Sequence, residues 1–255
     1  MPDTTIVIPC FNEAQRLDLE RFAAYLEADG NVRFEFVDDG STDGTREVLA
    51  RLQADAPDRV SIRALAVNGG KAEAVRTGIV AAIDAGASFV GYWDADLATP
   101  LEQIGEFRRL LVDDERLVGA VGSRIKRLGA NIERRAWRHY LGRVFATLAS
   151  LVLGLGVYDT QCGAKLFRVC DDVADAFGVP FTSRWFFDVE VFARLEARRG
   201  ADGARRVADT VLEVPLPVWH DRSGSKLRPW HAAAALFELP LIRLRYRRGQ
   251  RRASD

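Results

Sequence analysis

The chain is poor in the features that announce the commoner enzyme classes. Its three cysteines, Cys10, Cys162 and Cys170, are odd in number and lack metal-ligand spacing, so they suit a reducing compartment and supply no disulfide framework. The three histidines, His139, His220 and His231, are scattered and no serine nucleophile elbow is present, which disfavours zinc chemistry and Ser-His-Asp hydrolysis. No Gly-x-Gly-x-x-Gly turn follows the first apolar run, which counts against a dinucleotide oxidoreductase. Asn68-Gly69-Gly70-Lys71 lacks the upstream glycine of a P-loop and the Ser or Thr after its lysine. No window offers the roughly 20 consecutive apolar residues of a spanning helix. Lys+Arg and Asp+Glu both total 36, so bulk charge points to no particular partner, and nucleic acid is not an expected one. An apolar strand begins by Thr4 and leaves no room for a signal peptide, so a cytoplasmic location is expected.

What is present is alternation. Strands read at Thr4–Ile8, Arg33–Val37, Val60–Leu65, Ser88–Trp93 and Leu117–Val121. Helical patterns fall between them at Ala14–Ala28, Thr45–Ala54, Lys71–Ala85 and Leu101–Val112. This predicts an α/β fold with a doubly wound, mostly parallel sheet and helices on both faces. In open α/β sheets ligands bind beyond the carboxyl ends of the strands. Pro9-Cys10-Phe11-Asn12-Glu13, Asp38-Asp39-Gly40-Ser41 and Asp94-Ala95-Asp96 all fall at such ends, so polar residues converge on one rim.

The most informative of these is Asp94-Ala95-Asp96, where the strand ending at Trp93 runs out and Thr99-Pro100 reads as the opening of the next helix. Two carboxylates one residue apart bring hard oxygen ligands to one Mg²⁺ or Mn²⁺. Such an ion takes its remaining ligands from water and substrate phosphates. An Asp pair in a solvated loop is the plain alternative.

In order and spacing, Ile6-Val7-Ile8-Pro9-Cys10-Phe11-Asn12-Glu13, Val37-Asp38-Asp39-Gly40-Ser41-Thr42-Asp43-Gly44-Thr45, Asn68-Gly69-Gly70-Lys71 and Asp94-Ala95-Asp96 resemble the family 2 inverting glycosyltransferases, whose fold is the glycosyltransferase GT-A type. Later motifs narrow the resemblance to the dolichyl-phosphate β-glucosyltransferases. They are Val121-Gly122-Ser123-Arg124, Asp159-Thr160-Gln161-Cys162-Gly163-Ala164-Lys165-Leu166-Phe167, Trp185-Phe186-Phe187-Asp188-Val189-Glu190 and Trp219-His220-Asp221-Arg222-Ser223-Gly224-Ser225-Lys226. Related mannosyl-phosphate synthases usually carry Gln where this chain has Ala98. The N-terminal membrane helix of the eukaryotic glucosyl enzymes has no counterpart here.

The resemblance implies a nucleotide-sugar donor, UDP-glucose, held by Pro9, Phe11, Glu13, Asp39, Lys71, Asp94, Ala95 and Asp96. Pro9 and Phe11 would offer a flat apolar surface to the nucleoside, and Glu13 a carboxylate to its ribose. Asp39 is placed for base or ribose, although Asp38-Asp39-Gly40-Ser41 can simply cap the next helix. Lys71 can meet the diphosphate as a point charge or stand as a solvated first-turn lysine. Asp94 and Asp96 are the metal ligands.

The acceptor implied is a polyprenyl (dolichyl-type) phosphate, which calls for cations, with Arg124, Arg222 and Lys226 as candidates beside a reading as plain surface charges. A phosphomonoester has a second pKa of about 6, is already a nucleophile at neutral pH and needs no strong base. A hydroxyl acceptor would need one, and Asp188 or Glu190 would be candidates, unless they only orient the acceptor-side cations. The catalytic set is thus Asp96, Arg124 and, for a hydroxyl acceptor, Asp188. A mannosyl enzyme and a non-catalytic nucleotide-sugar sensor remain alternatives.

Two stretches bear on membranes. Trp137 to Leu155 carries an apolar stripe at helical spacing, behind Arg134, Arg135, Arg138 and Arg143; such a stripe is core or an interfacial helix. Pro229 to Ile242 is apolar and precedes Arg243, Arg245, Arg247, Arg248, Arg251 and Arg252, which reads as an anchor to anionic lipid or as a solvated tail. The expected organisation is one glycosyltransferase domain over 1–255. It comprises a nucleotide-sugar half at 1–124, an acceptor half at 125–228 and a basic membrane-surface tail at 229–255, working at the inner face of the cell membrane.

Overall fold

The computed structural model describes residues 2–133, 136–201, 206–220 and 237–246. Its strands are β1 (Thr4–Cys10), β2 (Val32–Asp38), β3 (Val60–Ala64), β4 (Phe89–Trp93), β5 (Gly119–Ser123), β6 (Asn131–Glu133), β7 (Ala164–Arg168), β8 (Val211–Pro215) and β9 (Val218–His220). Its helices are α1 (Leu19–Ala28), α2 (Thr45–Asp55), α3 (Lys71–Asp84), α4 (Gln103–Asp113), α5 (Ala136–Leu153), α6 (Asp171–Gly178), α7 (Phe187–Ala201) and the single turn α8 (Val207–Thr210). Residues 237–246 are also helical.

Seven strands form one sheet in the order β3-β2-β1-β4-β7-β5-β8, and β6 pairs with β9 in a small second sheet. Neighbours are parallel except where β7 runs antiparallel between β4 and β5. The expected mostly parallel sheet is therefore present, with one reversed strand that the simple alternation did not foresee.

Side-chain alternation along each strand builds two cores. Ile6, Ile8 and Cys10 of β1 face α1, α2 and α4, packing with Phe22, Leu49, Ile104 and Phe107. Val7 faces the other way, onto Val75 and Ile79 of α3 in a core that continues through Phe177 of α6 and Phe192 of α7. Each fully buried side chain of this kind contributes about 1.5–3 kcal/mol relative to exposure. Rings reinforce the first core, with Phe22 edge-on to Phe34 and to Phe36 at 5.1 Å between centroids.

Two helices start later than their sequence pattern. Residues 14–17 form a turn in which Arg16 and Leu17 amides donate to the Glu13 carbonyl, and α1 opens only at the cap Asp18, whose carboxylate accepts from the Arg21 amide. The delay leaves Glu13 and Arg16 at the rim. Thr99-Pro100 likewise begins a turn and not yet α4, and the Thr99 carbonyl accepts the Trp93 indole N–H at 3.1 Å.

A third cluster joins α5, α7 and the helix over 237–246. Leu239 and Ile242 are buried against Ala149, Phe186, Val189 and Ala193, and Phe145 stacks on Phe186 with centroids 4.9 Å apart. Among the described residues no helix is long and apolar enough to cross a membrane.

Candidate active site

The carboxyl ends of β1, β2 and β4 lie side by side, since Cys10 pairs with Asp38 and β1 also pairs with β4. This registry brings Phe11 and Glu13, Asp39, and Asp94 to Asp96 to one rim, with Pro9 one residue inside the end of β1. Phe11 is half-buried and Glu13 is buried, with its carboxylate 3.3 Å from Arg16. Asn12 sits at φ 51°, accepts from the Thr42 amide and donates its own amide to the Ser41 hydroxyl, which ties the β1 and β2 exits together.

Asp39 is engaged by backbone. Its two carboxylate oxygens accept the Gly69 amide at 2.7 Å and the Gly70 amide at 2.9 Å. Burial pushes its carboxyl above the usual value of 3.8, and the two amides only partly offset that. Gly70, at φ +90°, then turns the chain into α3, a conformation that side chains other than glycine resist. The result places Lys71 in the first turn of α3, with its Nζ 2.5 Å from Asp94 Oδ1. Burial alone would lower the Lys71 pKa, but Asp94, Asp188 and Asp96 outweigh it and hold the ammonium charged.

Asp94 and Asp96 flank buried Ala95 at the end of β4, and both carboxylates remain partly exposed. Asp96 accepts the Ala98 amide at 3.1 Å and lies 3.5 Å from Arg16 Nη2. Burial, and then the charge of Asp94, raise its pKa. Asp94 is pressed against the chain at Gly163: a Cβ there would stand 1.9 Å from Asp94 Oδ2, so only glycine fits. Two hard oxygen donors at a partly open rim suit a Mg²⁺ or Mn²⁺ completed by phosphate and water. The Lys71 ammonium drawn onto Asp94 marks the local demand for a cation. No group of three or more His, Cys, Asp or Glu joins them among the described residues, so such an ion would rely on the ligand for its other contacts.

The acceptor-side candidates are spread out. The guanidinium of Arg124, following β5, forks onto Asp159 through Nε at 2.6 Å and Nη2 at 2.8 Å and lies over the Trp219 ring at 5.4 Å. Asp159 in turn takes the Arg124 amide, and the Asp159 and Tyr158 amides donate to Glu213. Arg222 and Lys226 lie outside the described residues. The strand leading to them is anchored to the rim, because the His220 amide donates to the Ala98 carbonyl.

Asp188 is buried beneath the rim and not presented at it. Its Oδ1 accepts the Tyr92 hydroxyl and the Lys165 ammonium, each at 2.5 Å, and Lys165 is fully buried and also donates to the Cys162 carbonyl. Glu190 is likewise enclosed. It accepts from the Thr182 and Ser183 amides, from Arg194, and from the Tyr246 hydroxyl at 2.7 Å.

Three residues at or under the rim have no role assigned from the sequence, although Lys165 lies within the Asp159 to Phe167 motif. Arg16 approaches Asp96, Lys165 answers Asp188, and Arg184 donates to the Gly69 and Asn68 carbonyls at 3.1 and 3.2 Å. Arg16 lies only three residues past Glu13, so proximity to a rim motif was its one available clue. The other two pair across long sequence separations.

Comparison with known proteins gives the family and the fold. The profile described as Glycosyl transferase family 2 matches residues 5–172. The dolichyl-phosphate beta-glucosyltransferase of Mus musculus is 31% identical over 264 residues, covering 96% of this chain and 76% of that protein. Its Homo sapiens counterpart is 30% identical over 260 residues, with 96% and 76% covered. Among solved structures, glucosyl-3-phosphoglycerate synthase from Mycobacterium tuberculosis, in complex with Mn²⁺ and UDP-glucose, superposes with a TM-score of 0.68. It is 18% identical and the match covers 95% of this chain and 79% of that one, a likeness of fold.

Proposed function

From the premise that this chain belongs to glycosyl transferase family 2 and is a glycosyltransferase, we propose that it moves glucose from UDP-glucose to a polyprenyl phosphate, inverting the anomeric carbon. The observation that carries this reading is the convergence of Asp94, Asp96, Lys71 and the Asp39-held glycine turn on one rim. Pro9, Phe11, Glu13 and Asp39 take the nucleoside side of the donor. Lys71 faces its diphosphate, and Asp94 and Asp96 hold a Mg²⁺ or Mn²⁺. Bound there, the ion supplies Lewis-acid neutralisation of the charge that develops on the leaving nucleoside diphosphate. Residues 1–124 thus serve the donor and 125–228 the acceptor.

The burial of Asp188 favours a phosphate over a hydroxyl acceptor. A general base must reach the proton it abstracts, and this carboxylate is already bridged by Lys165 and Tyr92 under the rim. A dianionic phosphate attacks without one. Arg124, with Trp219 over its face, and the segment bearing Arg222 and Lys226 supply the positive side of the acceptor region.

The lipid acceptor also gives a role to the two-faced helix over 237–246. Leu239 and Ile242 face the body, while Phe237, Leu241 and Leu244 recur at one-face spacing and are more than half exposed. Val144 and Leu151 of α5 are exposed as well, and Arg243 joins the two helices by donating to the Leu151 carbonyl at 2.6 Å. An outward apolar face beside an arginine run fits the surface of an anionic membrane. The membrane contact we propose is therefore an element docked on the fold, in place of a free tail.

The test is incubation with UDP-glucose, GDP-mannose and a short polyprenyl phosphate, with Mn²⁺ or with EDTA. Glucosyl transfer dependent on the metal supports the reading. Preference for GDP-mannose moves the donor assignment, and nucleotide binding without turnover leaves a sensor.

A further inference from the structure

Resting on the donor reading above, we propose that Arg184 is a positioning residue for the donor site, and that the helix over 237–246 sets its place through Glu190. The loop Asn68-Gly69-Gly70 is held from both sides. Asp39 takes the Gly69 and Gly70 amides, and Arg184 supplies the opposite half by donating from Nε to the Gly69 carbonyl and from Nη2 to the Asn68 carbonyl and side chain. The approach is close enough that a Cβ on Gly70 would lie 2.9 Å from Arg184 Nε. A planar fork matches two adjacent carbonyls as a single ammonium cannot. Since Gly70 leads directly into Lys71, the clamp fixes where the Lys71 ammonium and the first turn of α3 stand relative to Asp94.

Arg184 is itself placed from behind. The preceding residues, Thr182 and Ser183, give their amides to the buried carboxylate of Glu190. That carboxylate is shared with Arg194 and with the hydroxyl of Tyr246, the last described residue of the 237–246 helix. The same helix reaches the 182–183 segment twice more: Arg245 donates to the Thr182 hydroxyl at 2.7 Å, and the Ser183 hydroxyl donates to Glu238. A continuous set of hydrogen bonds thus runs from a helix with an exposed apolar face to the glycine turn beside the donor carboxylates. Neither end alone predicts the connection, because Arg184 lies 115 to 116 residues from its loop partners.

The experiment measures UDP affinity by calorimetry in the presence of Mn²⁺, together with donor KM, kcat and melting temperature, for wild type, Arg184→Ala, Arg184→Lys and Tyr246→Phe. Arg184 is exposed and supports no core, so its melting temperature should hold. Arg184→Ala should weaken UDP binding and raise donor KM about tenfold with kcat within about twofold, as loss of charged hydrogen bonds that act only on binding. Arg184→Lys should recover part of the loss, and Tyr246→Phe should weaken UDP by about two- to threefold through the lost bond to Glu190. UDP bound equally by wild type and Arg184→Ala overturns the positioning role while leaving the donor reading intact. UDP that fails to bind wild type overturns the donor reading itself.

Discussion

The proposed donor rim and the proposed acceptor side are built in opposite ways. At the rim, buried Asp39 takes the Gly69 and Gly70 amides, Asp96 takes the Ala98 amide and lies 3.5 Å from Arg16, and Asp94, pressed against Gly163, takes the Lys71 ammonium; the Asp94 and Asp96 carboxylates stay partly open. On the acceptor side the charges meet one another within the protein, Arg124 with Asp159 and Lys165 with Asp188, and the second pair is buried. Amide-held acids keep their remaining valence for a ligand. The buried Lys165–Asp188 pair has no open side and serves to order the fold. Substitutions of Asp94 and Asp96 should therefore change activity and spare stability, and substitutions in the buried Lys165–Asp188 pair should change stability first.

The largest effect expected is on stability. Lys165→Met leaves Asp188 buried without its cation, and breaking a buried pair in this way costs about 3–5 kcal/mol, roughly a 10 °C fall in melting temperature. Replacing both partners, with Asp188→Leu added, should recover much of that loss. A single variant that melts like wild type would mean that the pair is solvated and the contrast false.

Asp96→Ala should reduce transfer by roughly 10²- to 10³-fold, the scale of removing an electrostatic contact made to charge developing at the reaction centre. Its melting temperature should not fall, since burial and the charge of Asp94 already raise the pKa of Asp96 and make its ionised form a liability to the fold. Full activity after this change, and in EDTA, would remove the metal role.

A pH titration probes the helix over 237–246. Burial pushes the Glu190 carboxyl up, but the hydrogen bonds from Tyr246 and Arg194 outweigh it and hold the pKa below the ordinary 4.5. Because the folded value is depressed, its contribution to stability is complete above 4.5 and is lost as the pH falls through the depressed value. Proteolytic release of the C-terminal segment should be flat down to about pH 5 and rise only in more acid solution. Glu190→Gln should remove that acid step.

The smallest effect is a pattern of thiol reactivity. Burial pushes the Cys162 thiol up to about 11, and Cys10 is also buried, whereas Cys170 is half-exposed. Alkylation near neutral pH should label Cys170 and spare the other two in the folded protein. Labelling of Cys162 at a similar rate would show that the floor of the acceptor side opens readily.

The same contrast explains what could be read from the sequence. The polar rim was legible because its parts are local: an apolar strand, then a short polar cluster at its end. β1 to β5, α2 and α3 stand within a few residues of their expected places. β7 was illegible because Lys165 interrupts its apolar run, and a buried lysine makes sense only once Asp188 is known to lie against it. Arg184 was missed for the same reason, its partners being distant in sequence. The arginines after Pro229 drew attention to the lipid surface and away from Leu239, Ile242 and Tyr246, whose spacing places a second, inward stripe on that helix. The candidate roles of Arg222 and Lys226 lie outside the described residues and rest on the motif.

The most direct test is one reaction: Mn²⁺, UDP-glucose and a short polyprenyl phosphate, followed by mass spectrometry of the lipid and assignment of its anomeric configuration. A β-linked glucosyl phosphate that disappears with EDTA and with Asp96→Ala is the predicted result. Glucose transferred instead to a polyprenyl alcohol, or UDP-glucose consumed with no lipid product, would contradict it.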